Sequence, residues 1–227
     1  GSNDETSLFS LINCSNKGEL YTSKNIYNKG ILYSGGLAGY VSGKSSLSVS
    51  NVSNSGALNF ANKIQDANIY IGSLSGYLAG DELTVSGFTN DGDITADVTL
   101  DELSNNTYIG GIIGHNGSKK NNKFENVVNN GDITATGASN RFMFAGIVAS
   151  IAYDMTLDSC QNTGVLTLEN KQTFNPKHLW YGGIMACILD TANNRTATLN
   201  SCTNSGDITL KNTNVTELLG VAGIAGQ

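Results

Sequence analysis

The residues of this chain best equipped for chemistry cluster near position 180: Phe174, His178, Trp180 and Tyr181. Aromatic faces suit the apolar C–H surface of a sugar ring, and a polar neighbour can orient its hydroxyls. The four therefore form a candidate glycan-binding site, although Trp180 also falls in a repeated aromatic column where a scaffold role competes. The other histidine, His115, aligns with Tyr40, Tyr77, Ser150 and Cys187 and reads as a solvent-facing or half-buried strand residue. Asp93, Asp132 and Asp207 recur at one register with Glu19. Carboxylates stacked about 5 Å apart would repel and draw Ca2+. Ala57 and Val165 interrupt that column, however, and turn aspartates commonly bond local backbone, so no metal is expected. Cys14, Cys160 and Cys202 share one position with Val52, Phe88 and Val127, which reads as a small buried apolar site. Cys160 and Cys202 would stack in adjacent repeats, leaving a disulfide open there, and no zinc-ligand spacing is present. Arg141 and Arg195 lie in different repeats without an acidic cluster, and no nucleophile elbow occurs. No catalytic residue and no cofactor is assigned.

What must position these side chains is a repeat of about 37 residues, the mark of a solenoid. One half reads Asn-x-Gly before an apolar strand, with the Asn at Asn16, Asn54, Asn90, Asn129, Asn162 and Asn204. The other half places Leu37, Leu74, Ile112, Ile147, Ile184 and Ile224 directly after a Gly or Ser. After each Asn-x-Gly, Leu or Ile alternates with polar residues such as Thr95, Thr134, Thr167 and Thr209, the period of a strand with one buried face. A second strand carries Tyr33, Tyr70, Tyr108, Met143 and Trp180, with small residues between its large ones. A short third strand precedes each Asn. These columns predict an all-β, right-handed parallel β-helix of about six coils. In it the six Asn stack as a structural ladder, bonding backbone or one another, and the following Gly supplies a positive φ.

Composition narrows the function. The net charge is −6 with only two Arg among 227 residues, so clustered phosphate contacts are missing and nucleic acid is not an expected partner. No apolar run approaches the roughly 20 residues of a membrane-spanning helix. Charged residues make up 14%, while Asn numbers 29 and Gly 27, a balance typical of an Asn/Gly/Thr-rich surface protein. Residues 1–7 read as a polar lead opening on a Gly-Ser cloning scar, and 8–227 as one solenoid domain. A lead of this kind suits a secreted protein or a lipoprotein anchored at its native N-terminus. Because Gln227 falls inside a repeat, the native chain is expected to continue into further domains. Insertions around 97–107, 169–179 and 190–196 are expected to form surface loops.

The run Gly35-Gly36-Leu37-Ala38-Gly39-Tyr40, followed by Asn54-Ser55-Gly56-Ala57-Leu58, resembles the GLUG-type repeat. That repeat occurs in bacterial surface proteins, including adhesin-like proteins and non-catalytic regions of IgA-cleaving metallopeptidases. The Asn-x-Gly-Asp-Ile form at Asn90, Asn129 and Asn204 looks like repeat proteins of gut Bacteroidetes. The resemblance implies a non-enzymatic stalk or binding module, extracellular or on the outer-membrane surface, whose partner is a glycan or a host or bacterial surface protein. A β-helical polysaccharide lyase or hydrolase, and a purely structural spacer, are the alternatives.

Overall fold

The computed structural model describes residues 7–22, 26–27, 30–42, 45–65, 68–99, 105–169, 177–189, 194–211 and 217–226. Among these every regular element is a strand, and no helix is long and apolar enough to cross a membrane. The strands stack into four parallel sheets, and the described chain passes six times through three of them and five times through the fourth. It thus completes about five turns, whereas six repeat motifs predict about six coils. Five layers at about 4.8 Å give a rod roughly 24 Å long.

One coil illustrates all. Ser45–Asn54 lies in sheet 1, Leu58–Gln65 in sheet 2, Asn68–Gly72 in sheet 3 and Ser75–Ala79 in sheet 4. In sheet 1 the inward residues are Leu47 and Val49, then Val52 and Asn54, so parity changes between them. The change is made by Asn51, which has φ 51°; Asn13, Gly87, Asn126, Ser159 and Ser201 share its column and its left-handed conformation. The same left-handed residue recurs in register in every coil and re-aims the side chains beyond it. Without it the strand's period of two would turn Val52 and Asn54 outward.

The positive φ is therefore not at the glycine after each Asn, where the sequence pattern predicts it. That glycine is needed because neighbouring coils touch through backbone. A Cβ on Gly131 would lie 2.1 Å from the Gly92 carbonyl oxygen, and one on Gly56 would lie 2.0 Å from that of Gly18.

The inward Asn residues form an uninterrupted ladder. Asn16 Nδ2 donates to Asn54 Oδ1 at 2.8 Å, and the same bond runs on through Asn90, Asn129, Asn162 and Asn204 at 2.7–2.8 Å. The second Nδ2 hydrogen goes to the carbonyl two residues on, as from Asn129 to Gly131 at 2.9 Å. Burying an amide is costly unless its partners are supplied, and here each coil supplies the next.

Sheets 3 and 4 are joined through the Gly-Leu turn, whose tip points at this ladder: a Cβ on Gly36 would lie 2.7 Å from Asn54 Oδ1. The arch divides the interior in three. Sheets 1 and 4 enclose one core, with Val49, Phe88, Leu74 and Ile112. Sheets 2 and 3 enclose another, with Leu58, Ile71, Ile94 and Phe144. The remaining faces of sheets 3 and 4 meet in a wedge that holds Tyr108, Met143, Ala149 and Cys187. Sheet 3 is thus covered on both faces, whereas the alternation of large and small residues along one of them points to a single buried side.

Candidate functional site

The wedge is the part of the fold where unusual side chains gather. Tyr33, Tyr70, Tyr108, Met143 and Trp180 line its sheet 3 wall, one per coil. Tyr40, Tyr77, His115, Ser150 and Cys187 line its sheet 4 wall. The rings pack closely, with Tyr70 and Tyr108 stacked at 4.6 Å and Tyr77 edge-on to Tyr70 at 5.0 Å. His115, expected to be solvent-facing or half-buried, is only 5% exposed, because the side of sheet 4 that it occupies faces sheet 3 and not solvent. Its Nδ1 lies 2.7 Å from Ser150 Oγ. Burial pushes its pKa down from 6.5 to about 4, so the imidazole is neutral at pH 7. Ser150 and His115 are spaced like a nucleophile and its base, yet both are buried, His115 against the rings of Tyr70, Tyr77 and Tyr108. Burial likewise raises the Cys187 thiol to about 12.

The run of large side chains on the sheet 3 wall stops at Trp180. In the column Tyr33, Tyr70, Tyr108, Met143, Trp180, the next position is Gly220. With no side chain stacked there, a cleft of about 460 Å3 forms beside Trp180, lined also by Arg141, His178, Leu189, Leu218 and Leu219. His178 and Trp180 alternate along the strand His178–Gly182 and share a face, so their rings stack at 5.3 Å and 6°. His178 Nε2 lies 3.0 Å from Glu217 Oε2, and Lys177 Nζ lies 3.7 Å from Glu217 Oε1. Arg141 pairs in register with His178, one coil below it.

Of the four predicted site residues, then, His178 and Trp180 come together at this cleft. Tyr181 points the other way: it is buried in the core between sheets 2 and 3, its ring edge-on to Phe144 at 4.8 Å. Phe174 lies outside the described residues, as do parts of the three insertions, 100–104, 170–176 and 190–193. Sequence reasoning does not single out Arg141 for the cleft. The signal for it is in the repeat alignment, which sets it one period before His178.

The remaining sequence candidates are structural. Asp93 Oδ1 accepts the Asp132 N–H at 2.9 Å, and Asp132 Oδ1 accepts the Val165 N–H at 2.8 Å, so each carboxylate caps the backbone of the next coil. Among the described residues no group of His, Cys, Asp and Glu is arranged to hold a metal ion. The cysteines are free thiols; Cys160 is buried in the core, with its pKa raised to about 12 chiefly by burial, and Cys202 packs against the same cluster. Arg195 stands over the Tyr153 ring at 4.5 Å, a cation–π contact. A second, polar recess of about 260 Å3 is lined by Asn122, Asp154, Thr196 and Thr198. Here Asp154 Oδ1 is already engaged by the Thr196 N–H. No family model, no curated protein and no solved structure matches this chain.

Proposed function

We propose that this chain is a non-enzymatic bacterial surface or secreted repeat protein that binds a glycan in the cleft beside Trp180. The observation that carries the reading is the break in the wedge column. Five side chains in succession fill it, and Gly220 then leaves the indole of Trp180 open to a cleft of about 460 Å3, within the ordinary range for a small-ligand site. An indole face flanked by an imidazole and a guanidinium offers the apolar and polar contacts that a sugar ring requires. The surrounding β-solenoid is a stiff stalk suited to displaying such a site. Its low charge and Asn/Gly/Thr-rich composition support a place outside the cell, on an outer membrane or free. The closure of the Ser150–His115 pair supports a binding role over a hydrolytic one.

A glycan array probed with the labelled protein tests this. Binding to a defined set of glycans is expected, abolished by Trp180→Ala and preserved by Tyr40→Ala at the far end of the wedge. Binding that survives Trp180→Ala would place recognition elsewhere, and silence across the array would favour a structural spacer.

A further inference from the structure

We propose that the cleft selects carboxylate-bearing saccharides, with Arg141 as the residue that takes the carboxylate; this rests on the reading of the cleft as a glycan site. Four observations lead there. First, the Arg141 side chain is exposed and lines the cleft. Second, its guanidinium makes no ion pair or hydrogen bond among the described residues; the one side-chain donor that reaches Arg141, Ser139 Oγ at 2.8 Å, bonds its backbone carbonyl. The nearby acid, Glu217, is already engaged by His178 and Lys177. Third, in this anionic chain of net charge −6 the cations are few, and only two are Arg. Arg195, the other, is placed over the Tyr153 ring. A guanidinium left open beside a bared indole is therefore not a generic surface charge. Fourth, register sets the spacing. Arg141 sits in the column Ile31, Asn68, Asn106, Arg141, His178, Leu218, which carries a fixed positive charge at this one coil. Trp180 lies two residues along and one coil up, a diagonal of about 8 Å between backbones.

That separation matches a sugar ring lying on the indole with an exocyclic carboxylate turned to the guanidinium. The planar fork of Arg grips a carboxylate with two parallel N–H···O bonds, a geometry that Lys does not offer. His178, held at Nε2 by Glu217, contributes its ring face to the same platform. The apolar side of the cleft, Leu189 and Leu218, would cover the ring's other C–H surface.

The test is a matched array of neutral, sulfated, uronate-containing and sialylated oligosaccharides, read with the wild-type chain, Arg141→Gln, Arg141→Lys and Trp180→Ala. Arg141 is exposed, so its variants should fold. Circular dichroism checks this. The expected result is binding confined to the uronate or sialylated members, weakened at least tenfold by Arg141→Gln and incompletely rescued by Arg141→Lys. Affinity should also fall as NaCl is raised from 50 to 500 mM. Equal binding of neutral glycans with Arg141→Gln unchanged would overturn the proposal while leaving the glycan site standing. Preference for sulfated members alone would overturn it too. Loss of all binding with Trp180→Ala but not with Arg141→Gln separates the platform from the charge, and refutes the role given to Arg141. If no member binds the wild type, the glycan reading itself falls and this inference with it.

Discussion

Replacing Asn129 by Ala tests the claim that the buried amide ladder, and not apolar burial alone, locks the coils together. Asn129 makes three buried bonds: it accepts from Asn90 Nδ2 at 2.7 Å and donates to Asn162 Oδ1 at 2.7 Å and to Gly131 O at 2.9 Å. Alanine removes all three and strands a donor on Asn90 and acceptors on Asn162 and Gly131. A buried polar group left without its partner costs about 1–3 kcal/mol, and three sharing one small gap, with water able to relieve some, give about 3–6 kcal/mol. That is a large part of the 5–15 kcal/mol typical of a whole domain. The matched control is Asn16→Ala in the first coil. The Asn16 bonds are exposed or only partly buried, so about 1 kcal/mol or less is expected. The assay is urea unfolding followed by far-UV circular dichroism and by Trp180 fluorescence, since repeat arrays depart from two-state behaviour and the two probes must agree. Asn129→Asp sharpens the test. It keeps the shape but places a carboxylate against the Asn162 and Gly131 oxygens, so it should equal or exceed the alanine at pH 7 and recover in part on acidification. Equal costs at positions 16 and 129, or a cost at 129 under about 1 kcal/mol, would refute the reasoning.

Two further outcomes are expected. Because burial lowers the His115 pKa from 6.5 to about 4, the unfolded chain gains a proton below pH 6.5 that the folded chain refuses until about pH 4. Stability should therefore fall across that window, by about 2 kcal/mol between pH 7 and pH 5. On acidification the wild-type urea midpoint should fall more steeply than that of His115→Phe; parallel curves would contradict a buried neutral imidazole. The side chains facing His115, namely Tyr70, Tyr77, Tyr108 and Ser150, do not titrate in this range. Thiol alkylation at pH 8 should mark the exposed Cys14 rapidly and leave the buried Cys160 and Cys187 unmodified until urea is added. Rapid native labelling of Cys187, read by peptide mass, would show that the wedge is open.

The coil is legible in the sequence because like side chains stack on one another. Leu58, Ile94, Ile133, Leu166 and Ile208 form one column in the structure as in the repeat alignment. The left-handed column is partly visible as Asn13, Asn51, Gly87 and Asn126, residues that tolerate φ > 0, with Ser159 and Ser201 in the later coils, yet the glycine after each ladder Asn is the more conspicuous candidate. That glycine answers to contact between coils, which no single repeat displays. The folding of sheet 3 on sheet 4 is harder to see. Its trace is the unbroken run Ile69-Tyr70-Ile71-Gly72, apolar on both parities, a pattern of strands buried on two faces. Reading only one face of that run leaves His115 solvent-facing or half-buried and turns Tyr181 towards the ligand. The cleft is partly legible, through Trp180, and partly not, because it is made by a missing side chain at Gly220.

The ladder also gives the rod an electrical direction. Backbone dipoles in a sheet largely cancel. The six side-chain amides do not, since each Nδ2 points towards the following coil and each Oδ1 towards the preceding one. Amide dipoles of about 3.5 D each, aligned through a dry interior, add along the axis as they do in a helix. Among the described residues their positive side is that of Asn204, which packs on the turn at Gly183 in the same layers as Trp180. The column that holds the coils together thereby gives the described stack a polarity along its axis, and an anion beside Trp180 lies nearer its positive side.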